Sequence, residues 1–553
     1  MKYTIGIDYG TQSARAQLLN ISTKGVVAKA EEFYPHGVMS EQLPSGIPLG
    51  KDWAIQDGDD YFVMAINCIK SLLATSKINP EDVIGLGIDT TACTMIPLGS
   101  DLEPLSSNPL FKDTPNAYVK LWKHHAAQKY ANELNKIAEQ RGEEFLKRYG
   151  GKISSEWSIP KIMQIAAESP EVYAETSCFA DIADWLGYKL TGKLYKNNVT
   201  TGYKTLWSDT TGFPSSSFFK DLNPLMEHVV EEKLSEEILE IGQRAGFITE
   251  EVSALTGLSQ KTAVAVPHTD AGVVPITLGM GKNGQMIASI GTSTCHFLLS
   301  DTLKEVPGIC GVIKDGAVPG FYAYEAGQTA VGDSFSWFVD NFVGEKLHVE
   351  ASQKGVSLFS LLGQKAERLV PGESGLVALD WFNGNRSILV NSDLSSVIVG
   401  LTINTKAEEV YRAILESTAF GTRKIIENFR EYGVEVTELY ACGGIPKKDP
   451  FMMQLYADIC DIEIRVSDEA LAAAYGSAML GAVAAGRSAG GYENVHSAED
   501  DLGLLDFAII KPNPKNVVAY DKLYEVFNTL HDAFSKDNSV IYTLKALREA
   551  AKA

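Results

Sequence analysis

Two short turns in the sequence combine glycine with hydroxyl side chains, and each follows a strand-like run. The first is Gly10-Thr11-Gln12-Ser13 and the second is Gly291-Thr292-Ser293-Thr294. Backbone N–H groups and hydroxyls gathered in such turns donate hydrogen bonds to phosphate oxygens. Asp8 precedes the first turn and can hold a hydrated Mg²⁺ ion that bridges phosphates, while Arg15 can add charge-assisted bonds. The two turns therefore predict a polyphosphate site.

A third turn, Gly443-Gly444, follows the apolar run Leu439–Cys442. Glycine permits close approach of a flat ligand to the backbone, so this turn is a candidate adenosine site. Lys447 lies three residues farther on and is a candidate contact for ribose or phosphate, although a lysine that merely solvates the loop explains it equally well. Taken together, the three turns point to a nucleotide such as ATP.

Several common catalytic signatures are absent from the sequence. It contains no GxxxxGK[ST] motif, and Gly85-x-Gly87 does not extend to GxGxxG, so the P-loop and dinucleotide-binding readings are excluded. The HExxH and GxSxG motifs are also missing, which removes the commonest zinc peptidases and serine hydrolases.

The composition limits the class of partner. Lys and Arg number 49 against 70 Asp and Glu, a net charge of −21, so the surface repels nucleic acid and anionic membranes. Seven scattered cysteines without a CxxC pair argue against a disulfide framework or structural zinc and fit a reducing compartment. The opening residues reach Asp8 too early for a signal peptide, so we expect a cytoplasmic protein. The most apolar stretch, 471–486, is more consistent with a buried helix than with a membrane span.

The 553 residues exceed what one hydrophobic core usually organises, and the pattern of elements repeats. A hairpin at 3–19, a helix at 59–73 and a strand at 83–91 form a first series. A hairpin at 286–299, a helix at 406–430 and a strand at 439–442 form a second. The pattern predicts an α/β protein with an internal duplication, its domains spanning 1–275 and 276–553, and a packed helix at 517–530.

Longer spaced motifs resemble a known family. In the C-terminal half they run Ser396-x-Ile398-x-Gly400-Leu401 and then Glu409–Glu416, while residues 154–165 carry a looser match around Pro160-Lys161. Nearly the whole chain is similar to the FGGY carbohydrate kinases. This resemblance implies two ribonuclease-H-like domains of the actin/hexokinase/Hsp70 ATPase type with an interdomain cleft. It also implies ATP and Mg²⁺, with Asp8 organising the metal's water shell.

The resemblance also implies a general base. In this family an aspartate just before the crossover between domains takes the hydroxyl proton, and the matching segment here is 266–272, which places Asp270 in that role. Without the family, the default interpretation of Asp270 is an aspartate that caps the following helix.

The sugar-site segments depart from the wider family. Many members carry Trp-x-Asp-x-Arg, whereas this chain has Leu121-Trp122-Lys123-His124-His125. This departure, together with the segments 89–94, 202–207 and 324–329, resembles the branch that phosphorylates L-ribulose to L-ribulose 5-phosphate in L-arabinose catabolism. By that resemblance the Ala92 backbone, Lys204, Asp270 and Glu325 hold the sugar. Trp122 is either an apolar wall or a core residue, and the adjacent histidines are not expected to bind metal.

Two alternatives stay open at this point. One is a kinase of the same family that acts on another ketopentose or a polyol, such as D-ribulose, xylulose or ribitol. The other is an actin- or Hsp70-like ATPase whose nucleotide state controls a partner protein. Expected partners are a small sugar and ATP, with a homodimer as the commonest closed assembly.

Overall fold

The computed structural model describes residues 1–234, 237–467, 471–536 and 539–551. Its contacts divide the chain into two compact units. Unit 1 comprises Met1–Gly281, Val312–Ala323 and Leu471–Leu505, and unit 2 comprises Lys282–Gly311, Tyr324–Ala470 and Asp506–Ala553. Residues 471–505 thus pack with unit 1 although they follow most of unit 2 in sequence. The domain bounds 1–275 and 276–553 stay a prediction of where the repeated halves begin and end.

The strands are short, and most belong to two large sheets. In chain order they are β1 (Tyr3–Tyr9), β2 (Ser13–Asn20), β3 (Gly25–Phe33), β4 (Ile55–Gln56), β5 (Val83–Thr90), β6 (Met95–Leu98), β7 (Val119–Lys120), β8 (Cys178–Asp181), β9 (Lys196–Asn197), β10 (Ile238–Leu239), β11 (Arg244–Phe247), β12 (Ala263–Ala265), β13 (His268–Thr269), β14 (Gln285–Ile290), β15 (Thr294–Ser300), β16 (Gly311–Lys314), β17 (Tyr322–Gln328), β18 (Val377–Ala378), β19 (Ile398–Val399), β20 (Glu438–Cys442), β21 (Ile464–Ser467) and β22 (Phe507–Ile510).

The α-helices lie between groups of these strands and after the last strand. They are α1 (Gly58–Ser76), α2 (Gln128–Arg141), α3 (Ser158–Glu168), α4 (Pro170–Glu175), α5 (Ile182–Thr191), α6 (Asn198–Lys204), α7 (Ser216–Leu222), α8 (Glu250–Thr256), α9 (Asp270–Thr277), α10 (Gly332–Phe342), α11 (Glu345–Lys354), α12 (Leu358–Ala366), α13 (Ala407–Glu431), α14 (Pro450–Cys460), α15 (Ala472–Ala485), α16 (Val495–Leu502), α17 (Pro514–Phe534) and α18 (Val540–Ala550). Among the described residues, no helix is long and apolar enough to cross a membrane.

Six strands follow the same order in the two large sheets when one of the two orders is read in reverse. In unit 1 the order is β11-β12-β5-β1-β2-β3, and the second sheet has the order β16-β17-β15-β14-β20-β21-β22. Strand β1 is antiparallel to β2 and parallel to β5, just as β14 is antiparallel to β15 and parallel to β20. The next two strands agree as well, one parallel and one antiparallel in each sheet. This repetition confirms the predicted duplication.

Helix α15 lies directly on the face of strands β1 and β5. A Cβ atom on Gly6 would be 1.8 Å from the Ala474 carbonyl oxygen, and one on Gly87 would be 1.9 Å from that of Ser477. A Cβ on Gly85 would be equally close, 1.9 Å, to the Gly481 oxygen. Such distances exclude any side chain, so glycine at these strand positions lets the helix backbone touch the sheet. The buried Ala- and Gly-rich helix confirms the prediction for 471–486.

The other predicted elements are also confirmed. Helix α1 covers the predicted helix at 59–73, and its first turn is capped by Asp57, whose side chain accepts from the Asp59 N–H at 3.0 Å. Helix α13 covers the predicted helix at 406–430, and α17 covers 517–530. The hairpin of β1 and β2 pairs Asp8 with Arg15, which places the charged ends of both strands beside the turn.

Candidate active site

Three aspartates gather at one edge of the unit 1 sheet. Strands β1, β5 and β13 run parallel, and their register sets both Asp8 and His268 beside Asp89. Asp270 follows β13 directly and is the first residue of α9. Because parallel strands end at the same edge of a sheet, Asp8, Asp89 and Asp270 lie together there. We call these residues the carboxylate edge.

Burial and mutual repulsion perturb this edge. Asp89 is fully buried, and its pKa is raised well above the usual range by that burial and by the charges of Asp8 and Asp270. Burial also raises the pKa of Asp8, opposed by a hydrogen bond with Asp89 and by the charge of Arg15. The Oδ2 atom of Asp89 accepts a hydrogen bond from Ser477 Oγ at 2.6 Å, which acts against the rise in its pKa.

The first glycine turn is held rigid by its own backbone and by neighbours. Gly10 N–H donates to the Ser13 carbonyl at 3.0 Å, and its carbonyl accepts from the Tyr34 hydroxyl at 3.0 Å. Thr11 accepts at its hydroxyl from Trp122 Nε1 at 3.1 Å. Trp122 is therefore fixed to the first glycine turn through its ring nitrogen. Gln12 at the tip of the turn is exposed.

Arg15 faces two acidic groups. It lies opposite Asp8 in the hairpin register, and its Nε forms an ion pair of 3.0 Å with Glu31 on β3. This hydrogen bond lowers the pKa of Glu31. Both partners are nearly half exposed, so the pair itself contributes little to stability and leaves the guanidinium near the turn.

Lys204 and Ala92 enter the same part of unit 1. Lys204 is the last residue of α6, is buried, and its helix packs against β13 directly before Asp270. Ala92 follows β5 within the turn 91–94, whose Thr91 N–H donates to the Tyr9 carbonyl at 3.1 Å. Both predicted sugar contacts thus flank strands that end at the carboxylate edge.

The second glycine turn, in unit 2, is tied to the start of α10. The Gly332 N–H donates to the Gly291 carbonyl at 3.0 Å, and the Val331 N–H donates to the Thr292 carbonyl at 2.8 Å. A Cβ on Gly332 would be 2.7 Å from the Gly291 oxygen and 2.9 Å from Ile445 Cδ1. The start of α10 therefore touches both the second glycine turn and the segment that follows Gly443-Gly444.

The two glycines of the third turn, Gly443 and Gly444, differ in backbone conformation and in the space around them. Gly443 has φ of +102°, and a Cβ there would be 2.5 Å from the Ile290 carbonyl oxygen, whereas Gly444 faces open space. Lys447 is exposed on the same loop. Glu325 lies on β17, half-buried, with its carboxylate 4.0 Å from Cys295 Sγ on β15. Unit 2 thus holds the predicted adenosine loop and the fourth predicted sugar contact.

The histidines beside Trp122 have structural partners. His124 Nε2 lies 2.8 Å from Gln164 Oε1, and its Nδ1 accepts from the Ala54 N–H at 3.3 Å. Burial lowers the pKa of His124 well below its usual value, so the ring is neutral. Within the described ranges, no group of three or more His, Cys, Asp or Glu side chains is arranged to hold a metal ion.

Comparison with known proteins identifies the family. The N-terminal domain of the FGGY family of carbohydrate kinases matches residues 3–273, and the C-terminal domain matches 286–485. The chain belongs to the FGGY family of carbohydrate kinases. It is thus a phosphotransferase that uses ATP and a small sugar.

Relatives of this FGGY kinase match over its whole length. A ribulokinase of Anoxybacillus flavithermus is 48% identical over 554 residues, which cover 100% of this chain and 98% of the relative. A ribulokinase of Mycolicibacterium smegmatis is 42% identical over 553 residues, covering 100% and 97%.

Solved structures share the fold. The ligand-bound xylulose kinase from Lactobacillus acidophilus superposes with a TM-score of 0.80 at 19% identity, covering 97% of this chain and 99% of its own. The Plasmodium falciparum glycerol kinase with ADP superposes with a TM-score of 0.74 at 19% identity, covering 97% and 98%. Together with the family match, these structures confirm the predicted fold class.

Asp89 was not among the residues selected from the sequence. It ends β5 as Asp8 ends β1, and both strands were recognised as strand–turn units. The signal that could have found it is this repetition of an aspartate at the carboxyl end of a glycine-bearing strand, since parallel neighbours bring such residues together.

Proposed function

We propose that this protein transfers the γ-phosphoryl group of ATP to the terminal hydroxyl of L-ribulose, giving L-ribulose 5-phosphate and ADP. Full-length relatives at 47–48% identity are named ribulokinase, which supports the substrate. The observation that carries the proposal is the placement of a buried lysine, Lys204, on a helix that packs against the strand leading into Asp270. A proton acceptor and a donor to sugar oxygens are thereby combined in one unit.

Asp270 acts as the general base in this proposal. Its carboxylate accepts the proton of the C5 hydroxyl while that oxygen attacks the γ-phosphorus, and the bond from that phosphorus to the β–γ bridging oxygen breaks. Asp270 is half-buried and its Oδ1 accepts from the Ala271 N–H at 2.7 Å, so one oxygen is fixed in direction. Removal of such a base typically costs about 10²–10⁴ in rate.

The sugar is held by groups that suit its oxygens. The Lys204 ammonium donates to hydroxyl or carbonyl oxygens, and the Ala92 backbone supplies main-chain groups. Glu325 accepts from paired hydroxyls, while Trp122, fixed through Thr11, offers an apolar ring edge.

The phosphates are held by Thr11 and Arg15 of the first turn, by Gly291 and Thr292 of the second, and the adenosine lies at Gly443-Gly444 with Lys447 nearby. Hard carboxylate oxygens at Asp8 fit Mg²⁺, which typically keeps several waters and uses only one or two carboxylates plus phosphates. When bound there, Mg²⁺ supplies charge that offsets the negative phosphoryl oxygens. Asp8 is half-buried beside Arg15, so it can meet a hydrated ion without full desolvation.

The test is a coupled assay of ADP release with Mg-ATP and a panel of L-ribulose, D-ribulose, L- and D-xylulose, ribitol and glycerol. We expect L-ribulose to give the highest kcat/KM, and Asp270→Asn to lose at least about a hundredfold in kcat. The exposed Asp500→Asn on α16 is the matched control and should keep wild-type rates. Preference for another sugar would overturn the substrate, and ATP turnover that no sugar stimulates would overturn the reaction.

We also place the reaction in the cytoplasm and propose a homodimer. No disulfide bond joins any of the seven cysteines, all of which lie within the described residues, and six are buried, which fits a reducing compartment. A two-fold dimer is the commonest closed assembly of soluble proteins. Light scattering coupled to size exclusion would overturn the dimer if it returned the mass of one chain.

A further inference from the structure

Two buried side chains at the start of helix α3 lie next to predicted sugar contacts. Trp157 directly precedes the helix and Lys161 follows one turn later, so both project from the same end of α3. Trp157 is 3% exposed and Lys161 is fully buried. A buried lysine is rare without a specific partner, because desolvation of the ammonium is costly.

Lys161 holds the turn that carries Ala92. Its Nζ donates to the Cys93 carbonyl at 2.6 Å. Cys93 has φ of +62°, a left-handed conformation that costs energy for a residue with a side chain. A charged hydrogen bond to the carbonyl of this same residue stabilises the strained turn and so fixes the direction of the adjoining Ala92 backbone.

Trp157 holds the ammonium of Lys204. The Lys204 Nζ lies 4.2 Å from the centre of the Trp157 ring and 5.2 Å from that of Tyr203. A cation over an aromatic face is attracted most strongly when the site is desolvated, as it is here with Lys204 2% exposed. The ring therefore restricts where this long, flexible side chain can place its charge.

The charges around Lys161 agree with this arrangement. Burial lowers the pKa of Lys161 to about 8, and the nearby charge of Lys204 also lowers it. Three acidic groups raise this pKa and so oppose the effect of burial: the Cys93 thiol, Glu156 and Asp181. The two ammonium groups thus lie close enough to repel each other. The Lys161 ammonium donates to the Cys93 carbonyl, and the Lys204 ammonium lies over the Trp157 ring.

We infer that Trp157 and Lys161 are positioning residues for sugar binding: Lys161 fixes the Ala92 turn, and Trp157 fixes Lys204. The inference rests on the proposed function, because Ala92 and Lys204 are sugar contacts only there. Helix α3 then acts as one rigid mount for two contacts that lie far apart in sequence, at the end of β5 and at the end of α6.

The experiment measures KM for L-ribulose, KM for ATP, kcat and calorimetric L-ribulose binding for Lys161→Met, Trp157→Leu and Trp157→Phe. Lys120→Met is the matched control, because Lys120 is also fully buried, donates to Asn116 Oδ1 at 2.8 Å and lies 4.3 Å from the Trp53 ring centre. Methionine keeps the apolar stem of the lysine and removes only the ammonium, whose burial is itself costly for folding.

We expect Lys161→Met and Trp157→Leu to raise KM and the dissociation constant for L-ribulose about tenfold or more, with KM for ATP within about twofold. Trp157→Phe keeps an aromatic face and should recover most of the loss. Lys120→Met should change neither constant for the sugar by more than about twofold, whatever its melting temperature. This pattern separates positioning from general destabilisation.

Other results would overturn either the inference about Trp157 and Lys161 or the proposed function. Sugar binding within twofold of wild type in folded Lys161→Met and Trp157→Leu overturns the inference, as does equal loss in Trp157→Phe and Trp157→Leu. Should Lys161→Met fail to fold, the Trp157 pair still decides. A wild-type enzyme that neither binds nor phosphorylates L-ribulose refutes the proposed function instead, which keeps the two failures distinguishable.

Discussion

Replacing Gly87 by alanine should separate helix α15 from the unit 1 sheet. The added Cβ would be 1.9 Å from the Ser477 carbonyl oxygen, which is backbone and cannot rotate away. Gly87 lies two residues before Asp89 on β5, so an added Cβ at 87 points to the same face as the Asp89 side chain, the face that α15 covers. The substitution therefore disrupts the packing of α15 against the strand that carries Asp89 of the carboxylate edge.

The size of the effect follows from these distances. Reaching an ordinary contact of 3.4 Å requires a shift of 3.4 − 1.9 = 1.5 Å by the helix or the strand. Overpacking of a tight core costs about 1–3 kcal/mol. The same shift stretches the 2.6 Å bond from Ser477 Oγ to Asp89, and loss of a bond to a buried acceptor costs a further ~1–3 kcal/mol. We expect a total of about 2–6 kcal/mol.

The assay is urea unfolding followed by circular dichroism, together with kcat/KM below the transition. Gly281→Ala serves as the control, because a Cβ there meets its nearest atom at 3.9 Å and the backbone has no positive φ. We expect that control to stay within about 0.5 kcal/mol of wild type. An unfolding midpoint for Gly87→Ala equal to that of wild type, with unchanged kcat/KM, would refute the reasoning.

Three further predictions concern unit 2. Arg412→Met leaves the buried Glu416 carboxylate, 2.7 Å away, without its cation and should destabilise the unit by about 3–5 kcal/mol, as denaturant unfolding would show. Burial lowers the pKa of His296 from 6.5 to about 3, so the unfolded state takes up the proton first; stability should fall as pH drops from about 6.5 to 3, and His296→Gln should flatten that slope. Gly443 has φ of +102°, and a Cβ there would lie 2.5 Å from a β14 carbonyl oxygen, so Gly443→Ala should distort the loop and raise KM for ATP. Gly444 faces open space, so Gly444→Ala should fold normally and raise KM for ATP less.

Clear results would contradict these three predictions. For the ion pair, a double variant with Glu416→Leu should recover most of the loss, so equal destabilisation of single and double variants would argue against an unpaired charge. For His296, an unchanged pH slope after substitution would assign the titration to other groups. For the glycine pair, equal KM for ATP in the two alanine variants would remove the steric argument.

Local patterns were sufficient to predict the repeated hairpins and the main helices. The turn at Gly10 and the amphipathic helix α13 depend on neighbours in sequence, and such signals can be read from composition and spacing. The partner of α15 could not be read in this way. Its small residues predicted burial, but the matching glycines of β5 and β1 are roughly 390 to 470 positions earlier.

In the candidate site, too, some residues could be selected from the sequence and others could not. Asp8, Asp270 and Lys204 were selected by motif and resemblance, and the structure brings them to neighbouring elements of unit 1. Asp89 and Trp157 were not selected, because their roles depend on the register between parallel strands and on the contact between the Trp157 ring and Lys204. Neither relation leaves a periodic signal in one sequence.

The glycine-lined sheet of unit 1 has a consequence for synthesis on the ribosome. Strands β1 and β5 are complete by residue 90, yet the helix that covers them ends at Ala485. At about 5–20 residues per second, translation of the intervening chain takes roughly 20–80 s, during which this face has no native cover. Unit 1 therefore completes its folding only near the end of translation, and a nascent chain stalled before α15 leaves this face of the sheet open to chaperones and to aggregation.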